Sequence, residues 1–183
     1  MRILTERLRA SPEARAAPSG RGRPTAADCG LLLIRLVFGL LMAGHGAQKL
    51  FGLFGGQGLS AVAKGFAALG YRPGMVYAVL GGASEFLGGL GLALGLLTPL
   101  AAAALIGVMI NAMVTVTAAH GLWDFQGGVE YNVCIAAVAL AVAAIGPGGL
   151  AVDRWFRWGR GGWPQAAVAL LLGGVGAAVV LAL

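Results

Sequence analysis

The sequence predicts an all-α fold, a polytopic transmembrane four-helix bundle with one additional C-terminal transmembrane helix. Three observations carry that expectation. Of the 183 residues, 58% are hydrophobic and only 11% charged, against about 25% charge in a soluble domain. Mean hydropathy is +0.84, and too few charges remain to cover a large soluble core. The apolar residues also fall in runs near the length that spans a bilayer, about 20 residues of helix, with Pro and Gly between them.

The elements follow in order. Residues 1–27 carry six arginines against two glutamates, net +4. Their Pro, Gly and Ser content predicts a disordered basic tail. Beside a span it reads as a cytoplasmic flank and not as a nucleic-acid-binding arm. It has no apolar stretch of the kind a signal peptide needs. A first span covers about 29–50, ending in "GHGAQKL". A second covers about 74–96 and a third about 99–119, joined so closely through "LTP" that they form an antiparallel hairpin. Pro99 suits a helix start, where a missing N–H costs nothing. The fourth, about 130–146, is short for a span, and the fifth covers about 163–183. The expected organisation is a tail (1–27), a four-helix membrane domain (28–153), a basic linker (154–162) and an extra helix (163–183).

Arg154, Arg157 and Arg160 fall on the same side as the N-terminal arginines, whereas 120–130 carries Asp124 and Glu130 and no Lys or Arg. The positive-inside rule then places the N-terminus in the cytoplasm and the C-terminus outside. Trp155, Trp158 and Trp163 read as interfacial anchors. The partner this composition implies first is the lipid bilayer, in a plasma membrane, and no nucleic acid.

Ionisable groups within a span cost about 2.5–3.5 kcal/mol each on insertion scales and need partners. The candidates are Arg35, His45, Lys49, Glu85, Asn111 and Glu130. Arg35, Gly39, Met42, Gly46 and Lys49 recur at helical spacing and form one stripe. Gly81, Glu85, Gly89 and Leu92 form a second, Ala104, Gly107, Asn111 and Thr115 a third, and Glu130, Cys134, Ala137 and Ala141 a fourth. Small residues let membrane helices approach closely, so these stripes are expected to face one another. Counting a helical rise of about 1.5 Å per residue from the inner side puts Arg35 at ~9 Å, Glu85 at ~16 Å, Asn111 at ~18 Å, His45 at ~24 Å and Lys49 at ~30 Å. Glu130 lies at the level of Lys49 on that reckoning. The expected pairs are therefore Arg35 with Glu85 and Lys49 with Glu130. Either these are packing ion pairs, or they line a polar pocket.

In the second case Glu85 and Glu130 are candidate proton acceptors. Arg35, His45, Lys49 and Asn111 are then candidate ligand-binding residues. Two histidines and two isolated cysteines, Cys29 and Cys134, point away from a metal centre or disulfide framework. Cys134 is expected as a small core residue.

Several stretches together resemble the DoxX family of small bacterial membrane proteins. They are Arg35 and Gly39 in "LIRLVFG", "GHGAQKL", "GFAALG", "SEFLGGLGLALGLLTPLAA", Asn111 with Ala112, "GGVEYN" and "GPGGLAVD", spanning about 30–153. The resemblance implies a four-helix bundle with both ends cytoplasmic. It also implies an association with redox work: membrane oxidoreductase complexes, thiosulfate- or quinone-linked electron transfer, and oxidative-stress defence. No motif encodes a cofactor, and a quinone is the candidate the resemblance suggests. Two departures stand out: Ala151 where the family often has Ser, and the fifth apolar segment. The leading expectation is a membrane component of a redox system that binds a quinone or small sulfur species. The alternatives are a non-catalytic scaffold or assembly factor for a partner redox enzyme, and a small-molecule transporter working as a homo-oligomer.

Overall fold

A computed structural model describes residues 23–183, the Arg157 side chain aside. The basic tail expected over 1–27 lies outside the described residues up to residue 22. The described chain is helical: α1 (Ala26–Phe51), α2 (Gly58–Ala68), α3 (Gly74–Leu94), α4 (Thr98–Ala112), α5 (Glu130–Ile145) and α6 (Trp163–Ala182). After Ala112 the helix of α4 continues through a widened π turn (Met113–Thr117) and a 3₁₀ turn (Ala118–His120). Counted to His120 it is one of four helices among the described residues with the length and apolarity to cross a membrane, the others being α1, α3 and α6. At 16 residues, α5 is shorter.

Local chemistry sets the boundaries. Thr25 caps α1 by accepting the Asp28 N–H at 3.1 Å, and Asp28 returns the favour to the Thr25 N–H at 2.9 Å. Gly52 ends that helix in the left-handed region, φ 68°. Pro99 stands in the first turn of α4 as the sequence predicts.

Helix α1 packs antiparallel against α3, and glycine makes the contact possible. A Cβ on Gly39 would lie 2.6 Å from both the Ala93 amide and the Gly89 carbonyl oxygen, too close for any side chain. Of the first predicted stripe, Arg35, Gly39, Met42 and Gly46 are buried, and of the second, Glu85, Gly89 and Leu92. On the other flank of α4, Gly107 meets Gly173 of α6, where a Cβ would stand 3.1 Å from the Gly173 carbonyl oxygen. The fifth apolar segment is thus packed tightly into the bundle through small residues and is no loose appendage. Met42, Leu92, Leu105, Met109, Ile135 and Val142 fill the space between α1, α3, α4 and α5.

Three expectations are corrected. The stretch 51–73, left between the first two expected spans, contains α2, which lies against α3. On α5 the buried face is Asn132, Ile135, Ala139, Val142 and Ala143, while Cys134, Ala137 and Ala141 are exposed. The inference from Glu130 failed because Glu130 opens the helix and turns into the preceding loop, so it does not mark the packed face. Cys134 is accordingly not a core residue.

Candidate functional site

Helix register decides which charges meet. Gly46 of α1 faces the Phe86 backbone and Gly82 of α3 faces Lys49 and Leu50, so Glu85 lies level with the last turns of α1. In a helix each Cβ tilts toward the N-terminus. For antiparallel neighbours that tilt sends Lys49 back into the bilayer and Glu85 outward, and the two side chains converge. Lys49 Nζ pairs with Glu85 Oε1. Glu85 is buried, its side chain 4% exposed, and its Oε2 has no hydrogen-bond partner. An unpaired buried carboxylate oxygen is costly and calls for an explanation.

The expected pairs, Arg35 with Glu85 and Lys49 with Glu130, are not formed. Arg35 lies at the other end of the bundle, donating from Nη2 to the Leu150 carbonyl at 2.9 Å and crowding Gly95, the residue that ends α3. Gly95 and Glu85 are ten residues apart on one helix, about 15 Å. The depth reckoning erred because α1 overruns α3 at this end, where Asp28 meets Gly149 and Leu31 meets Gly148. Glu130 accepts the Asp124 N–H at 3.0 Å in the loop before α5. His45 is exposed and takes no part in this pair; its ring lies 5.7 Å from that of Tyr131, beside a shallow apolar groove on the outer face of α1.

Lys49, Glu85 and Asn111 do converge. They line one cavity of about 620 Å³ enclosed by α2, α3, α4 and α6, within the roughly 300–1,000 Å³ typical of small-molecule sites. Asn111 anchors its amide on the Gly107 carbonyl at 3.1 Å and accepts the Tyr71 hydroxyl at 3.1 Å. Tyr71 is itself held by rings on both sides, Phe66 at 5.4 Å and Tyr77 at 4.8 Å. The π turn begins directly after Asn111 and its neighbour Ala112, with the Thr115 hydroxyl donating to the Asn111 carbonyl at 2.8 Å. Such widened turns are frequent at functional sites. The remaining walls are mostly apolar, with Ser84 beside the carboxylate.

Tyr71, Tyr77 and Ser84 escape a reading by residue type. Tyr71 belongs to "YRPG", which reads as punctuation, and only α2 folding back brings it to Asn111. Asp153 is a further buried acid. It accepts from the Leu97 N–H (2.9 Å), the Thr98 N–H (2.7 Å) and the Thr98 hydroxyl (2.8 Å), and so caps α4 from a distance. The Trp158 indole N–H also donates to it, at 3.0 Å.

The family model described as DoxX matches residues 30–118. Over those residues the chain is similar to the DoxX family. The DoxX match, just under half of the chain, runs from Gly30 within α1 through α4 and includes every α1–α4 residue that lines the cavity. Outside it lie α5, Glu130, Asp153 and the α6 wall. No curated protein and no solved structure matches the chain.

Proposed function

We propose that this DoxX-like protein is a plasma-membrane component of a redox or oxidative-stress system and binds a quinone headgroup or small sulfur species beside Lys49 and Glu85. The observation that carries the reading is the convergence of an ion pair, a carboxylate oxygen without a partner, Asn111 and Tyr71 on one otherwise apolar cavity. Glu85 accepts a proton or hydrogen bond from the ligand. Lys49 balances the charge on Glu85, and Asn111 orients the ligand's oxygen. Arg35, His45 and Glu130 fall outside this role, because none of them lines the cavity. The N-terminus is cytoplasmic in this reading, supported by the basic residues 154–160 sharing an end with the start of α1.

The test is binding of decylubiquinone to protein purified in nanodiscs. Retention by the native chain and at least tenfold weaker binding by Glu85→Gln, with helicity unchanged, support the reading. Equal retention by both proteins removes it. A scaffold for a partner redox enzyme is the second reading, favoured by His45 and Gln48 standing on the outward face of α1 beside exposed Leu40 and Phe54. Capture of the same partner complex by Glu85→Gln, but not by His45→Leu, would select it.

A further inference from the structure

The cavity is not round. It follows α4 from Asn111 to Leu100, eleven residues or about 16 Å of helix. Helices α3 and α6 flank it on opposite sides of α4: Gly88 sits against Leu105 and Ala104, and Gly107 against Gly173. Helix α2 and Tyr71 lie across the polar end. The other rim stands open sideways, with Leu80, Leu100 and Leu172 each about half exposed at 50%, 50% and 51%. In a chain with these spans that rim faces hydrocarbon, not water. The polar groups sit at one end, and the wall beyond them is apolar. Among the described residues Lys49 and Glu85 are the only base and acid that line the cavity, and they pair with each other.

We propose that the groove takes an amphiphile with an uncharged polar head on a single prenyl or other linear hydrocarbon chain, admitted sideways from the bilayer. Its head meets Glu85 Oε2, and its chain lies along α4 between α3 and α6. This rests on the reading of the cavity as a ligand site and narrows the ligand to a chain-bearing lipid, which leaves out a free sulfur oxyanion. It also gives α6, absent from the DoxX match, the task of completing the wall that holds the chain.

The apolar end of the groove supplies the test. Leu172 lines it and is half exposed, beside Gly173, which meets Ala103 and Ile106. Leu171 is exposed and does not line it. In nanodiscs, binding of decylubiquinone is compared with that of its chainless head. Leu172→Trp is expected to weaken the tailed probe at least tenfold and leave the chainless head unchanged, while Leu171→Trp alters neither. Leu100→Trp, from the α4 side and half exposed, is a second block should Leu172→Trp fold poorly. A decylubiquinone carrying a diazirine at its chain end is expected to label α4 near Leu100 or α6 near Leu172. Phosphatidic acid is expected not to compete. Equal binding of tailed and chainless probes, native binding by both blocking variants, or competition by phosphatidic acid overturns the proposal while Glu85→Gln still abolishes binding. Undiminished binding by Glu85→Gln overturns the reading of the cavity itself.

Discussion

Replacing Lys49 by Met isolates the energetics of the Lys49–Glu85 ion pair. The pair is asymmetric: the Lys49 side chain is 33% exposed and that of Glu85 only 4%. Removing one partner of a fully buried pair costs about 3–5 kcal/mol, because the other charge is left uncompensated. A fully exposed pair is worth about 0–1 kcal/mol. With one partner buried and one partly wet, Lys49→Met should destabilise by about 2–4 kcal/mol. Glu85→Gln should cost much less, about 1 kcal/mol or below, because an unpaired lysine at a helix end can extend to water. The double variant, lacking both charges, should be more stable than Lys49→Met alone. Reversible unfolding in mixed micelles, followed by helical circular dichroism, gives all three values for a double-mutant cycle. Equal costs for the two single variants, with a double variant equal to their sum, would refute the coupling and the register that produces it.

Two further predictions rest on separate contacts. Gly39→Ala forces a Cβ to within 2.6 Å of α3 backbone and should cost at least the 1–3 kcal/mol of ordinary overpacking, whereas Gly44→Ala, facing open space, should be neutral or stabilise by up to about 1 kcal/mol; the same unfolding assay separates them. Asp153→Ala strips the acceptor from a buried amide, a part-buried amide and a hydroxyl at the start of α4 and should cost about 3 kcal/mol, with hydrogen exchange accelerating first at the Leu97 and Thr98 amides.

Much of the fold is legible in the residues because the membrane leaves few options. A run of some 20 apolar residues has to be a helix, since unpaired backbone groups have no partner in hydrocarbon. The small-residue stripes around Gly39 and Gly89 correctly mark the α1–α3 contact. Pairing is harder to read. It depends on the relative shift of two helices, and the overrun of α1 past α3 exchanges Glu85's partner from Arg35 to Lys49. Helix α2 escapes because "GLSAVAKGFAA" is too short for a span and mixes Lys64 with small residues. Tyr71 escapes with it, since its position at Asn111 exists only once α2 has folded back.

The two buried charge clusters do different work, and what surrounds each one says which. At the end of the bundle away from Lys49, Arg35 stands against Gly95, where α3 terminates, and Asp153 stands at the start of α4. A cation at a helix C-terminus and an anion at a helix N-terminus both complement the backbone dipoles. Together they clamp the α3–α4 turn, in which Leu97 holds a left-handed φ of 48° while donating its N–H to Asp153. Arg35 keeps two nitrogens without partners. Yet Arg35 is fully buried, and on its Gly95 side a Cβ would collide with both the guanidinium and Ala151. On that side nothing can bind without moving the turn. Glu85 also keeps an atom without a partner, but its neighbourhood is a cavity of about 620 Å³. Burial and charge alone do not separate a clamp from a site. An unsatisfied atom with room in front of it does, and of the two buried clusters only Lys49 with Glu85 meets both conditions.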